Sequence, residues 1–373
     1  MKRFFLAPMI CEYPTVSAFA ESFGFNEDDL ILTNEYIYRP LFSALNLRAQ
    51  VLFQEQFGMG EPTDQMVDAI LAALHTLHYK RIVAVGGGTI IDIAKILAVA
   101  EPGDYTDQLY DKMTQLTKVH PLFIIPTTCG TGSEVTNISI VNRTAKGVKQ
   151  GSVSGAMYAD QAILIPELLQ SLPYKVFATS SIDAMIHAVE SYLSPNASET
   201  SEMFSMQALK ILLTAWREAA ASEDKDAWKK RAAEYLRASN YAGIAFSNAG
   251  CGSVHALSYP LGGTYHVAHG ESNQVMFAPV MQMYLKKAPE GKILDLNRAL
   301  SPILDCAPEN AQQALWDLMD QILPRKPMRA YGTTQDDLPR FTDAVIASQQ
   351  RLLANNYVPL SREEILAIYE SAF

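Results

Sequence analysis

The stretch HALSYPLGGTYHVAHG, residues 255–270, holds three of the chain's seven histidines: His255, His266 and His269. Earlier, SSIDAMIHAVESYLS (180–194) sets Asp183 and His187 four residues apart, so on a helix both project from one face. Ile182, Met185, Ile186 and Val189 cover much of the remaining surface of that helix, which predicts burial on most sides. A carboxylate and an imidazole withdrawn from water are costly unless they pair or hold a metal. Taken alone, the two read first as a buried Asp–His hydrogen bond, and the later segment as a helix end with a histidine-rich turn. Together, Asp183, His187, His255 and His269 could converge as one carboxylate and three imidazoles. Such a set suits Fe(II) or Zn(II), with a coordination position left for a substrate.

A second kind of chemistry stands earlier in the chain. RIVAVGGGTIIDIAK (81–95) reads as a strand, a Gly86-Gly87-Gly88 turn and a helix beginning near Thr89. Glycines let the backbone turn sharply and approach a ligand, and the first N–H groups of the helix then form an anion site, usually for a pyrophosphate. Thr89 and Asp92 have capping-box spacing, which predicts that they fix the helix start. The triple glycine matches neither the P-loop nor the G-x-G-x-x-G pattern, and a tight turn without a ligand stays open. LFIIPTTCGTGSEVT (122–136) adds Thr127, Thr128, Thr131 and Ser133 around Gly130 and Gly132, just past another strand. Hydroxyls and glycines there suit a nucleotide's phosphate and ribose, or they satisfy the loop's own backbone. After LILT (30–33) come Asn34 and Glu35, where dinucleotide folds place an acidic side chain for the adenosine ribose.

Particular elements must position these groups. Up to about residue 175, β-branched runs (30–33, 50–54, 81–85, 122–125 and 161–165) alternate with helical patterns at 62–78 and 90–100. That alternation implies an α/β domain with a mainly parallel sheet wrapped by helices. FFLAPMI (4–10) reads as a first strand rather than a secretion signal, because Pro8, Glu12 and Pro14 interrupt the apolar run. After Leu172-Pro173 the pattern turns to long amphipathic stretches such as 201–221 and 309–323, an all-α domain over 176–373. GSVHALSYPL is expected to be a helix ended by Pro260 and the Gly262-Gly263 turn.

Composition narrows the classes. A formal charge of −10 argues against a non-specific nucleic-acid binder, which needs a basic face. No apolar run of membrane-spanning length occurs. Cys11, Cys129, Cys251 and Cys306 are scattered without a C-x-x-C pair, which suggests a reducing, cytoplasmic setting. Cys129 reads as a small filler, and His75, His78 and His120 as surface or structural residues. Glu190 reads either as support for the metal helix or as a solvated side chain.

The segments GGGTIIDIAK (86–95), PTTCGTGSE (126–134), IDAMIHAVESY (182–192) and HALSYPLGGTYHVAHG (255–270) resemble, over essentially the whole chain, the iron-containing (group III) alcohol dehydrogenase family. The resemblance implies a dehydroquinate synthase-like two-domain architecture: a dinucleotide-binding domain (1–175), an all-helical metal-binding domain (176–373) and an active site in the cleft between them. It places the metal ligands on Asp183, His187, His255 and His269. It places cofactor contacts on Gly87, Gly88, Thr89, Asp92, Thr127, Thr128, Thr131 and, more loosely, Lys149. Where many members carry a further histidine this chain has Tyr259, and His266 also departs from the common pattern. These two are expected to relay the proton or to shape a pocket for a substrate carboxylate. The usual ribose-binding Asp is Asn34 here, which leaves NAD against NADP open. The tyrosine form of the segment resembles the 4-hydroxybutyrate dehydrogenase branch, which implies reversible oxidation of 4-hydroxybutyrate to succinate semialdehyde by a homo-oligomer. A general primary alcohol or diol dehydrogenase, or a dehydroquinate synthase-like lyase, are the alternatives.

Overall fold

The computed structural model describes residues 2–373. Contacts divide the chain into two compact units: Leu6–Leu172, and Pro173–Phe373 together with the first residues through Phe5. The expected strand at FFLAPMI is therefore displaced. The first strand starts only at Met9, since Pro8 has no N–H to give to a ladder. Phe5 instead bonds through its main chain to the Asn248 side chain, and Phe4 stacks on Phe204 at 5.7 Å.

In the α/β unit the strands are β1 (Met9–Glu12), β2 (Asp29–Thr33), β3 (Gln50–Phe53), β4 (Arg81–Gly86), β5 (Leu122–Pro126), β6 (Ile138–Arg143), β7 (Val148–Val153) and β8 (Gln161–Leu164). Six of them form one sheet in the order β1-β8-β5-β4-β2-β3, every neighbouring pair parallel. Helices α1 (Val16–Phe23), α2 (Glu35–Leu41), α3 (Asp64–Leu74), α4 (Gly88–Leu97) and α5 (Thr106–Asp111) connect and cover it. Side chains alternate between faces, as the period of two requires. Leu30, Leu32, Ile82, Ala84 and Ile124 pack with α3, α4 and α5, while Ile31, Val83, Val85 and Ile125 pack with Val16, Phe19 and Ile37 of α1 and α2. Burial on both faces explains why these strands read as continuous apolar runs. β6 and β7 form a separate antiparallel ribbon that the sequence reading left unassigned. Its turn passes through Gly147 at φ 63°.

In the helical unit the elements that matter for the site are α6 (Tyr174–Leu193), α7 (Glu199–Ala220), α8 (Ala232–Ala249), α9 (Ser253–Tyr265) and α10 (His269–Lys287). α6 is buried almost throughout, with Trp216 of α7 donating to Ser181 at 3.1 Å and Phe177 stacked on Trp228 at 4.0 Å. α9 departs from expectation: it continues through Pro260, Gly262 and Gly263 and ends at His266, in the left-handed region at φ 53°. Its inner face is buried from Ser253 to Leu261, and the Tyr369 hydroxyl donates to the Leu257 carbonyl at 2.8 Å. Tertiary packing thus outweighs the helix-breaking tendency of these residues, about 1 kcal/mol per glycine. Among the described residues no disulfide joins the four cysteines, and no helix is long and apolar enough to cross a membrane.

One glycine sets how closely two of these helices approach. A Cβ on Gly270, the second residue of α10, would lie 1.9 Å from the carbonyl oxygen of Thr179 on α6. Because that neighbour is backbone, it cannot swing aside. Gly270→Ala is expected to force α10 off α6 and destabilise the chain by about 3 kcal/mol or more. A urea titration of both proteins measures it, and an unchanged midpoint contradicts the packing argument.

Candidate metal centre and cofactor turn

α6 carries Asp183, His187 and Glu190 on one face, at helical spacing i, i+4 and i+7. α9 brings His255 from its first turn, and His269 is the first residue of α10. All three imidazoles reach the Asp183 carboxylate: His255 Nε2 lies 3.4 Å and His269 Nε2 3.6 Å from Oδ1, and His187 Nδ1 lies 3.9 Å from Oδ2. Asp183, His187 and His255 are buried, while the His269 side chain keeps 30% of its surface, so access is from its side.

The donors divide into two overlapping groups. Asp183, His255 and His269 offer ligand atoms within 4.8 Å of one another, and so do His187, Cys251 and His255. The His187 ring is stacked between Phe246 (4.3 Å) and His255 (4.5 Å), which turns it toward Cys251 as well as toward Asp183. Cys251 was not singled out from the sequence, because its spacing from the histidines matches no familiar metal motif.

The surroundings test whether a cation belongs here. His255 Nδ1 is 2.6 Å from Glu190 Oε2, and Glu190 Oε1 also accepts from the Val254 N–H at 2.7 Å. Glu190 therefore orients the imidazole and is not a solvated residue. With Nδ1 so engaged, the buried Nε2 has no hydrogen-bond partner although it faces the Asp183 oxygen. Two electron-rich atoms face each other only when a proton or a metal ion relieves them. Burial disfavours the Asp183 carboxylate, but His187, His269 and His255 outweigh it and hold the group far below the usual carboxylate range. Burial likewise opposes the His255 imidazolium, yet Cys251, Asp183 and Glu190 hold its pKa well above that of an ordinary imidazole. Asn273, one turn beyond His269 on α10, donates from Nδ2 to Asp183 Oδ1 at 2.8 Å and also went unnoticed in the sequence. The set fits a divalent ion of borderline hardness.

Tyr259 stands one turn after His255 on α9, its ring centroid 6.1 Å from that of His269. His266 is exposed at the end of α9, and its observed role is to close the helix in a left-handed conformation.

Most of the residues expected to hold the cofactor fall at the carboxyl ends of β4, β5 and β2. The start of α4 differs from expectation: Gly87 is the N-cap, and no capping box forms. The Thr89 hydroxyl donates to Gly60 O at 3.1 Å, and the Asp92 carboxylate accepts from Ser133 Oγ and Ile140 N at 3.1 Å each. Asp92 thus ties the next loop to α4. Nor do the three glycines need positive φ. Gly86 is required because a Cβ there would lie 2.4 Å from Ile90. At Gly87 and Gly88 a Cβ would press on Thr128 and Thr131 at 3.3 and 3.2 Å, so the two loops lie against each other. Thr127 is buried, its N–H bonded to Gly86 O at 3.1 Å. With no side chain capping α4, its first-turn N–H groups suit a pyrophosphate. Beneath the loop Lys95 is buried, donating to Ser133, Thr136 and Ile138 O, and burial brings its pKa down to about 8. Lys149, on β7, pairs with Glu61 at 2.7 Å.

Comparisons with known proteins identify the family. The model described as iron-containing alcohol dehydrogenase matches residues 15–166, and that of the Fe-containing alcohol dehydrogenase family, C-terminal, matches 177–373. The chain belongs to the iron-containing alcohol dehydrogenase family. A 4-hydroxybutyrate dehydrogenase of Clostridium kluyveri is 45% identical over 100% of both chains. A solved 1,3-propanediol oxidoreductase superposes with a TM-score of 0.85 at 26% identity, covering 100% of each chain. A sulfoacetaldehyde reductase from Bifidobacterium kashiwanohense, solved in complex with NAD+, shares the fold with a TM-score of 0.85 at 22% identity, covering 100% of this chain and 98% of its own.

Two outcomes follow for metal binding. Glu190→Gln should keep the fold but weaken Fe(II) or Zn(II) binding about 10–100-fold, read by competition with a chelator. An unaltered affinity contradicts the orienting role. Because His255 retains its proton above the ordinary imidazole range, an incoming ion must displace it, so affinity should rise with pH through neutrality. Calorimetry in buffers of different ionisation enthalpy reads the released proton, and a pH-independent affinity contradicts the assignment.

Proposed function

We propose that this chain is a reversible, NAD-dependent and metal-dependent dehydrogenase that interconverts 4-hydroxybutyrate and succinate semialdehyde in the cytoplasm. The observation that carries the reading is the 45% identity to the Clostridium kluyveri 4-hydroxybutyrate dehydrogenase along the full length of both chains. Four cysteines scattered without a C-x-x-C pair support a reducing setting.

Asp183, His187, His255 and His269 would hold the ion, with Glu190 and Asn273 keeping His255 and Asp183 in place. The first turn of α4, with Thr128 and Thr131 packed over it, would receive the pyrophosphate of NAD. A divalent ion supplies Lewis acidity at the substrate oxygen, and NAD supplies the hydride acceptor. Asp183 balances the charge of the site, and the partly open side at His269 admits the alcohol. Oxidation also releases a proton. Tyr259, beside His269, is the candidate for carrying it toward solvent in place of the histidine that many relatives hold there. His266, with a polar ring at the exposed end of α9, is the candidate for receiving a substrate carboxylate.

Metal-free protein resupplied with Fe(II) or Zn(II) should oxidise NADH with succinate semialdehyde far faster than with butanal. Comparable rates on both favour a general primary alcohol dehydrogenase, and no absorbance change with either overturns the reading. Tyr259→Phe should lower kcat by about 100-fold if it relays the proton. His266→Asn, which tolerates the left-handed backbone, should instead raise KM for succinate semialdehyde and leave kcat nearly unchanged. An unchanged KM removes His266 from the substrate site.

A further inference from the structure

In doubly wound folds the acid that reads the adenosine ribose stands at the end of the strand beside the one carrying the glycine turn. Here the glycine turn follows β4, its neighbour is β2, and β3 lies beyond. The position at the end of β2 is Asn34, an amide, and the next residue, Glu35, is turned into an ion pair with Arg39. An acid, Glu55, stands instead in the short helix that follows the adjacent strand, β3. Thr33 registers with Phe53, so the residues after β3 run alongside those after β2. Glu55 Oε2 accepts from Asn34 Nδ2 at 2.8 Å, and Oε1 accepts from the Glu35 N–H at 2.6 Å. The Asn34 amide donates also to Gln54 Oε1 at 3.2 Å, which fixes its orientation. Each Glu55 oxygen keeps a second lone pair, and the side chain is only half-buried. Tyr36, which feels the Glu55 charge, is 73% exposed, and Met59, four residues along the chain from Glu55, is 83% exposed. The turn after Met59 is tied to the first turn of α4 by the bond from Thr89 to Gly60.

We propose that Glu55 selects NAD against NADP: its carboxylate accepts a ribose hydroxyl and repels a 2′-phosphate, and Asn34 is the residue that positions it. This rests on the dehydrogenase reading above, and it moves the discriminating charge one strand away from where the sequence motif looks for it. A purely structural Glu55, capping α2 through the Glu35 N–H, would weaken both dinucleotides alike when replaced. A selecting Glu55 changes their ratio, because like charges brought together at a contact cost far more than the loss of one shared hydrogen bond.

The test is binding, independent of turnover. The full chain is titrated with NADH and with NADPH by fluorescence, and with 5′-AMP and 2′,5′-ADP by calorimetry. The wild-type chain should bind NADH more tightly than NADPH. Glu55→Gln should narrow that ratio by at least about tenfold and improve binding of 2′,5′-ADP. Asn34→Ala, which leaves the Glu35 N–H contact in place, should narrow it in the same direction and serves if Glu55→Gln does not fold. Equal wild-type affinity for NADH and NADPH, or a ratio unmoved in whichever variant folds, overturns the proposal while leaving the dehydrogenase reading intact. A wild-type chain that binds neither dinucleotide overturns both.

Discussion

A carboxylate enclosed with three imidazoles is the constraint around which the helical unit is organised. Asp183 is nearly inaccessible, and each imidazole approaches it with a nitrogen atom rather than with a carbon edge. Removing such groups from water without positive charge among them costs several kcal/mol per ion. The neighbourhood therefore has to hold protons or a metal ion, and the pairing of Glu190 with His255 Nδ1 leaves Nε2 as the atom that must be relieved. Glu190 and Asn273 have their value here by keeping donor atoms directed at one place, which is how metal sites convert flexible side chains into a binding geometry.

That geometry also depends on how closely two backbones approach. Helices α6 and α10 come together at Gly270, where even a methyl group would overlap the Thr179 carbonyl. The adjacent residue in the chain is His269, so the contact that lets the helices meet also places a donor. In the α/β unit Gly86 has the same kind of role, with Ile90 lying where its side chain would go. Glycine is used at both positions for close packing and not for an unusual φ, since neither has positive φ.

Near the glycine turn, the polar residues of the family motif divide between those that pack on the glycines and those that hold the scaffold. Thr128 and Thr131 lie over the glycines, while Asp92, Ser133 and Lys95 bind one another and the backbone of the following ribbon. A buried lysine with three acceptors holds that loop from beneath, so the loop is rigid where a phosphate would meet it.

Period, composition and spacing determined a great deal. The doubly buried strands were legible as apolar runs because parallel sheets covered on both faces leave no polar side, and α6 was legible because Asp183 and His187 share a face in any helix. The candidate metal donors were recognisable by type. Tertiary structure alone decided what lies next to what: Cys251 beside His187, Asn273 on Asp183, Glu55 beside Asn34, and α9 carried past Pro260 to His266. It also decided that Thr89 and Asp92 do not cap their helix. These contacts join residues far apart in the chain or outweigh a local preference of about 1 kcal/mol by burial, and neither effect leaves a mark on local sequence pattern.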